Sequence, residues 1–170
     1  PFGIDLMTGH VGLFGGPRSG KSTSLRTLFV SLVATFSPAN LQMYVIDSGG
    51  HLSFTTYFPH VGAYIRSSEQ ERLIRLLRHL LQVLERRQIE IGNAKQDNIQ
   101  GYNANNTDSP LPHIVVLLDN FGEFRDEVEL IVSPLITLLR TGHHYGLHFI
   151  ITGMSTGELS RIYSLLATRI

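Results

Sequence analysis

Gly15-Gly16-Pro17-Arg18-Ser19-Gly20-Lys21-Ser22-Thr23 is a complete G-x-x-x-x-G-K-[ST] pattern, and its flanks give it a context. Val11 to Phe14 before it reads as a short buried strand. Leu25 to Phe36 after it reads as an apolar helix with no internal breaker. A loop of this composition between a strand and a helix cradles phosphate. Its glycines let the chain turn so tightly that successive N–H groups point inward at phosphate oxygens. The new helix adds the positive end of its dipole. Gly15, Gly16, Pro17, Arg18, Ser19, Gly20, Lys21, Ser22 and Thr23 are therefore the expected nucleotide-binding residues. Among them, Lys21 is suited to reach the β- and γ-phosphates and the Ser22 hydroxyl to ligate Mg²⁺. Pro17-Arg18 shapes the loop, with Arg18 placed to touch a phosphate or a neighbouring domain.

Working outward, the chain has 170 residues, the size of one domain, and enough length to bury a good core. Hydrophobic residues make up 42%, ordinary for a globular fold. The formal net charge is zero, so no global field draws the chain to nucleic acid or membrane. Lys21 and Lys95 are the only lysines, so the loop lysine is a rare residue where the pattern needs it. Without cysteine there is no disulfide framework and no thiolate metal site. No apolar run approaches the ~18 residues of a membrane span, so no direct membrane insertion is expected. No signal peptide is visible. The start at Pro1 rather than Met reads as a piece cut from a longer protein.

Strand-like and helical patterns alternate. Leu41 to Asp47 reads as a strand ending in a Gly49-Gly50 turn, and Val61 to Ile65 as another. Ser68-x-x-Glu71 has the form of a capping box. It opens the longest helix, to about Ile91, ended by Gly92-Asn93, with Leu73, Leu76, Leu77, Leu80, Leu81 and Leu84 at helical spacing. Residues 93–112 are polar and Asn-rich, with a short helix near Ile99. Ile114 to Leu118 is an apolar strand, Val128 to Arg140 helical, Leu147 to Thr152 a buried strand, and Thr156 to Leu166 a weaker helix. Continuous apolar strands between helices predict an α/β fold, a mainly parallel sheet with helices on both faces, carrying the phosphate loop of a P-loop NTPase.

Phosphoryl chemistry needs an acidic residue at the end of a second core strand, to hold Mg²⁺ through water. Asp119, after Ile114 to Leu118, has that form, against a bare strand-capping role. The next residue in many such ATPases is Glu, which polarises the attacking water; here it is Asn120. An amide cannot accept a proton as a carboxylate does. Glu123 lies three residues on and substitutes only if the loop curls back. Thr152 ends the later strand where a polar sensor of the γ-phosphate stands, and Gly153 after it has no side chain. Asp119, Thr152 and Glu123 are the candidate catalytic residues, and Ser22 and Asp119 the candidate metal residues. The plain reading is nucleotide binding with weak or absent hydrolysis.

The segments PFGIDL, GHVGLFGGPRSGKSTSLRTLFVSL, MYVIDSGG, FPHVGAYI, LRHLLQVLERR, HIVVLLDNFGEF and YGLHFIITG, in this order, resemble the FtsK/SpoIIIE motor family. They are most similar to the EccC-type ATPase domains of type VII secretion systems. The resemblance implies a RecA-like core spanning residues 1–170, ATP and Mg²⁺ as ligands, and sibling ATPase domains arranged in a ring or tandem stack. It implies an ATPase role in protein transport, with an export substrate protein as partner, or double-stranded DNA translocation as the alternative. A third reading is a non-catalytic, ATP-locked regulatory or docking module. The location implied is the cytoplasmic part of a membrane-anchored protein. Family translocases carry Asp-Glu where this chain has Asp119-Asn120, and Thr-Gln where it has Thr152-Gly153. Thr168-Arg169-Ile170 resembles the start of a further family strand, so the C-terminal strand is expected to be missing.

Other features have plainer alternatives. Arg72, Arg75, Arg78, Arg86 and Arg87 along the long helix form a nucleic-acid track, a subunit contact or a solvated face balanced by Glu69, Glu71, Glu85 and Glu90. Arg140 and Arg169 are candidates for an arginine that reaches a neighbour's nucleotide. His144 and His148 flank Gly146 at a strand entry, a poor geometry for zinc, and His148 reads as a core residue. Asp47 either faces the nucleotide or caps the Gly49-Gly50 turn.

Overall fold

The computed structural model describes residues 5–155, 157 and 160–170, with Met7 described by its backbone only. Among these, β1 (His10–Phe14), β2 (Leu41–Asp47), β3 (Val61–Arg66), β4 (His113–Leu118), β5 (Leu147–Gly153) and β6 (Leu166–Arg169) form one sheet. The order is β3-β2-β4-β5-β1-β6, and every neighbouring pair is parallel. All six strands therefore end at one edge, where open α/β sheets build ligand sites.

The apolar run of β4 shows why the sheet has to be covered on both faces. Ile114, Val116 and Leu118 face a core with Leu73, Leu77, Leu80 and Leu84 of α2 (Gln70–Asn93) and Leu135 and Leu138 of α4 (Ser133–Thr141). Val115 and Leu117 face the opposite core, with Leu25 and Phe29 of α1 (Lys21–Thr35). Each leucine so buried stabilises the fold by roughly 1.5–3 kcal/mol relative to exposure. The α1 face is thinner, because that helix buries only Leu25 and Phe29 among its described residues. Phe29 compensates with edge-on contacts to Phe54 and Phe58, at 5.6 and 5.1 Å between ring centres.

Several boundaries differ from the sequence expectations. The long helix begins at Gln70 and has no side-chain cap at Glu69, so the Ser68/Glu71 box does not form the start. Glu69 instead turns back and accepts the Arg66 N–H at 2.9 Å. At the other end, the left-handed residue is Lys95, not Gly92; the Gln96 N–H closes onto the Ile91 carbonyl at 3.1 Å. The helix near Ile99 is α3 (Ile99–Asn105), with Asn98 Oδ1 accepting the Gly101 N–H. The segment expected as one helix from Val128 splits into a π turn, Val128–Val132, and then α4. Pro134, in the first turn of α4, has no N–H to continue a regular ladder backward.

The weak helix expected over Thr156 to Leu166 is the main correction. Thr156, Glu158 and Leu159 lie outside the described residues. Tyr163–Leu165 is a single 3-10 turn and Leu166 begins β6, which pairs with β1. Leu166 is buried at the sheet edge while Ala167 and Arg169 are exposed, a period of two that suits a strand.

Candidate functional site

The phosphate loop leaves β1 beside β5. Phe14 is level with Gly153, and the Gly15 N–H donates to the Gly153 carbonyl at 3.3 Å, one step past the ladder. The chain then reverses through Arg18 and Gly20, whose φ values are 62° and 92°. Left-handed backbone at two nearby positions belongs to the kind of turn that can present N–H groups to an anion, and the Ser19 N–H closes this one onto the Gly16 carbonyl at 3.3 Å. Gly20 is the N-cap of α1, has no side-chain cap, and is followed by a first turn without an acidic residue. The positive end of α1 is thus left open to an external anion. Lys21 Nζ bends over the loop and donates to the carbonyls of Gly15 and Gly16 at 2.5 and 2.8 Å. An ammonium held at an exposed loop that opens a helix fits a polyphosphate. Gly16 to Gly20 are exposed, as a ligand entry requires.

Asp119 follows β4 and is 5% exposed. Its Oδ1 accepts the Thr152 hydroxyl at 2.8 Å, and its Oδ2 accepts the Ser48 hydroxyl at 3.4 Å. Burial pushes its pKa up; the Thr152 hydrogen bond opposes this, and the neighbouring Asp47 charge adds to it. A buried carboxylate whose donors among the described residues are hydroxyls is suited to a cation's outer shell. Among the described residues, no three His, Cys, Asp or Glu side chains converge enough to hold a metal alone. A divalent cation here would lean on Ser22 and on the phosphates, as in phosphate-loop sites generally.

Thr152 spends its hydroxyl locally: it donates to Asp119 and accepts the Asn120 N–H at 2.8 Å. Asn120 is left-handed, φ 60° and ψ 70°. Its Nδ2 donates to Glu123 Oε1 at 3.2 Å, so the 3-10 turn Phe121–Phe124 does curl back. Asp47 is fully buried and accepts from the N–H groups of Gly49 (3.1 Å) and Leu52 (2.7 Å) and from the Tyr64 hydroxyl (2.8 Å). Of its two sequence readings, the turn cap is the one with contacts behind it. The same turn brings in a residue the sequence reading missed: His51 lines the cleft together with Arg18 to Thr23. Its signal was its position just past Gly49-Gly50, at the ligand-binding edge.

Other candidates fall elsewhere. Arg87 is 2% exposed and donates to the carbonyls of Tyr145 (2.7 Å) and Pro112 (2.6 Å), which removes it from any surface track. Arg72 is exposed and pairs with Glu69 at 2.6 Å. Arg140 is exposed at the end of α4, and Arg169 lies 4.4 Å over the Tyr163 ring. His148 is 1% exposed, and its Nε2 is 3.0 Å from His113 Nδ1 at the opposite edge of the sheet, while His144 lies tilted against His143 with ring centres 3.9 Å apart. No helix among the described residues is long and apolar enough to cross a membrane.

Known proteins share this fold. A structure of Thermomonospora curvata EccC (ATPases 2 and 3), in complex with a signal sequence peptide, superposes with a TM-score of 0.91 at 30% identity. The match covers 99% of this chain and 32% of that one. EssC (ATPases 2 and 3) from Geobacillus thermodenitrificans gives a TM-score of 0.93 at 29% identity, over 100% of this chain and 33% of that one. The ESX-1 secretion system protein EccCb1 of Mycobacterium tuberculosis is 30% identical over 99% of this chain. This chain spans only 30% of the length of that relative. The model of the FtsK/SpoIIIE family matches residues 2–170, taking in both the phosphate loop and the Asp119 strand end, and the chain belongs to that family.

Proposed function

We propose that this chain is an ATP- and Mg²⁺-binding P-loop domain that serves protein export by an ESX, or type VII, secretion machine, with weak or no hydrolysis of its own. The observation that carries it is a contrast within one site. The phosphate cradle from Gly15 to Thr23 is complete, yet Asn120 stands where a water-activating carboxylate would, its amide spent on Glu123. Gly15, Gly16, Pro17, Arg18, Ser19 and Gly20 would wrap the phosphates, with Lys21 against their outer oxygens and Thr23 in the first helical turn. Ser22 would ligate the metal directly and Asp119 through water. Mg²⁺, when bound, neutralises phosphate charge. Thr152 holds the Asp119 carboxylate in place and, through the Asn120 N–H, fixes the start of the following turn. Glu123 is the carboxylate one hydrogen bond from the base position, and it is the group through which slow turnover would run.

The export role comes from the relatives: ESX secretion proteins carry the similar domain, and one was solved with a signal sequence peptide. Sibling ATPase domains and an export substrate protein are the partners this implies, and the cytoplasmic side of a membrane-anchored protein is the location. Asn120 also favours a second reading, in which ATP locks a domain interface and is never turned over. The DNA-translocase alternative loses support from Arg87, which is buried. Calorimetric titration of ATP with Mg²⁺ tests the binding claim. Wild type should bind, and Lys21→Ala should weaken binding about 10- to 100-fold, the value of hydrogen bonds from a charged donor. Equal affinities for the two would overturn the cradle assignment.

A further inference from the structure

The cleft over the phosphate loop encloses about 300 Å³. Among the described residues its lining is Arg18 to Thr23 and one residue from another part of the chain, His51. That residue is held from three sides. The Arg26 Nε on α1 donates to the His51 carbonyl at 3.0 Å. The buried Asp47 carboxylate takes the N–H groups of Gly49 and Leu52, which fixes the chain before and after His51. The imidazole lies on the open face of Gly49: a Cβ there would come within 2.6 Å of ring Cδ2 and 2.8 Å of Nε2. Gly49 therefore makes room for the ring, and any larger residue would displace it.

Ser48, three residues before His51 on the same turn, donates its hydroxyl to Asp119 Oδ2 at 3.4 Å. The turn that carries His51 thus faces the phosphate loop through His51 and reaches the acidic strand end through Ser48. In such loops the backbone N–H groups take the inner phosphates and the lysine the outer ones. The terminal phosphate is the part of the ligand left facing the far wall of the cleft. Here that wall offers an imidazole N–H on a pinned backbone.

We propose that His51 donates a hydrogen bond to the terminal phosphate of a bound nucleoside triphosphate and sets the preference for triphosphate over diphosphate. This rests on the nucleotide-binding reading above. It makes His51 a ligand-sensing residue in a domain whose Thr152 hydroxyl is already committed to Asp119.

Calorimetry with Mg²⁺-ATP and Mg²⁺-ADP on this chain tests it, comparing wild type, His51→Ala, His51→Gln and Lys21→Ala. His51→Ala should weaken ATP about tenfold and leave ADP unchanged, as expected for losing one hydrogen bond to a charged group. His51→Gln, which keeps an N–H donor, should recover most of the ATP affinity. Equal weakening of both nucleotides, or no change in either, with wild-type binding that still depends on Lys21, would overturn the role of His51 alone. Failure of wild type to bind either nucleotide would overturn this inference and the nucleotide reading together.

Discussion

The two edges of the sheet are built from the same strands and treat their polar residues in opposite ways. β1 carries His10 at its start and leads into Gly15; β4 runs from His113 to Asp119; β5 carries His148 near its start and Thr152 near its end. At the leading edge, His10, His148 and Arg87 are sealed in. His10 accepts the Phe149 N–H at 3.1 Å, His113 and His148 bond each other, and Arg87 ties two carbonyls. At the trailing edge, the phosphate loop is exposed and Lys21 rests on carbonyls that a polyphosphate would outcompete. A cluster of titratable groups marks a functional site only when it keeps groups reachable. One edge seals its polar groups in, and the other leaves them reachable.

Acid should produce the largest effect, and it should act on the buried edge. Burial, with help from His143, pushes the pKa of His10 down to about 3. Burial and the facing His113 do the same to His148, to about 3, and His113 and His143 are lowered as well. The folded state thus binds these protons later than the unfolded chain, whose histidines titrate near 6.5. The stabilising contribution is complete above 6.5 and is lost as pH falls toward about 3. For each such histidine the slope reaches about 1.4 kcal/mol per pH unit. Asp119 acts in the opposite sense, because its raised pKa favours the folded state once it is protonated. Urea unfolding from pH 7 to pH 4 measures the sum, and a flat profile would dissolve the contrast between the edges.

Arg87→Met comes next. It keeps the apolar stem but leaves the Tyr145 and Pro112 carbonyls without their donor, at a cost of about 3 kcal/mol. Nucleotide affinity should not change. A fall in affinity without a fall in stability would mean that the buried edge takes part in binding. Asn120→Glu is smaller. Asparagine tolerates φ 60° better than glutamate, so the exchange should cost about 1 kcal/mol in thermal unfolding while placing a carboxylate beside Asp119. Arg72→Ala should be the smallest, within about 0.5 kcal/mol, because the Arg72–Glu69 pair is exposed.

How much of this was legible in the sequence depended on how local each feature is. The phosphate loop is contiguous, so Gly15 to Thr23 could be assigned to a strand–loop–helix unit directly. Asp119 and Thr152 were legible because each is the first polar residue after a run of apolar ones, residues 114–118 and 149–151, at the trailing end of a strand. β6 was not legible: Leu166–Arg169 is a strand only because β1 lies beside it. Arg87 was grouped with the surface arginines although it continues the stripe Leu73, Leu77, Leu80, Leu84, Ile91; its charge hid its position. His51 was missed because the Gly49-Gly50 turn marks only the sheet edge, whereas the turn capped by Asp47 is what carries the residue to the loop. The curl of Glu123 onto Asn120 depended on a backbone angle, and composition does not report angles.

Steady-state phosphate release from ATP, for wild type, Lys21→Ala and Asn120→Glu, tests most directly whether the cradle is intact and the base is missing. Wild type that binds ATP but releases almost no phosphate, with Asn120→Glu gaining turnover and Lys21→Ala silent, is the expected result. Wild-type turnover that Lys21→Ala abolishes and Asn120→Glu does not raise would contradict it and make this domain a working motor.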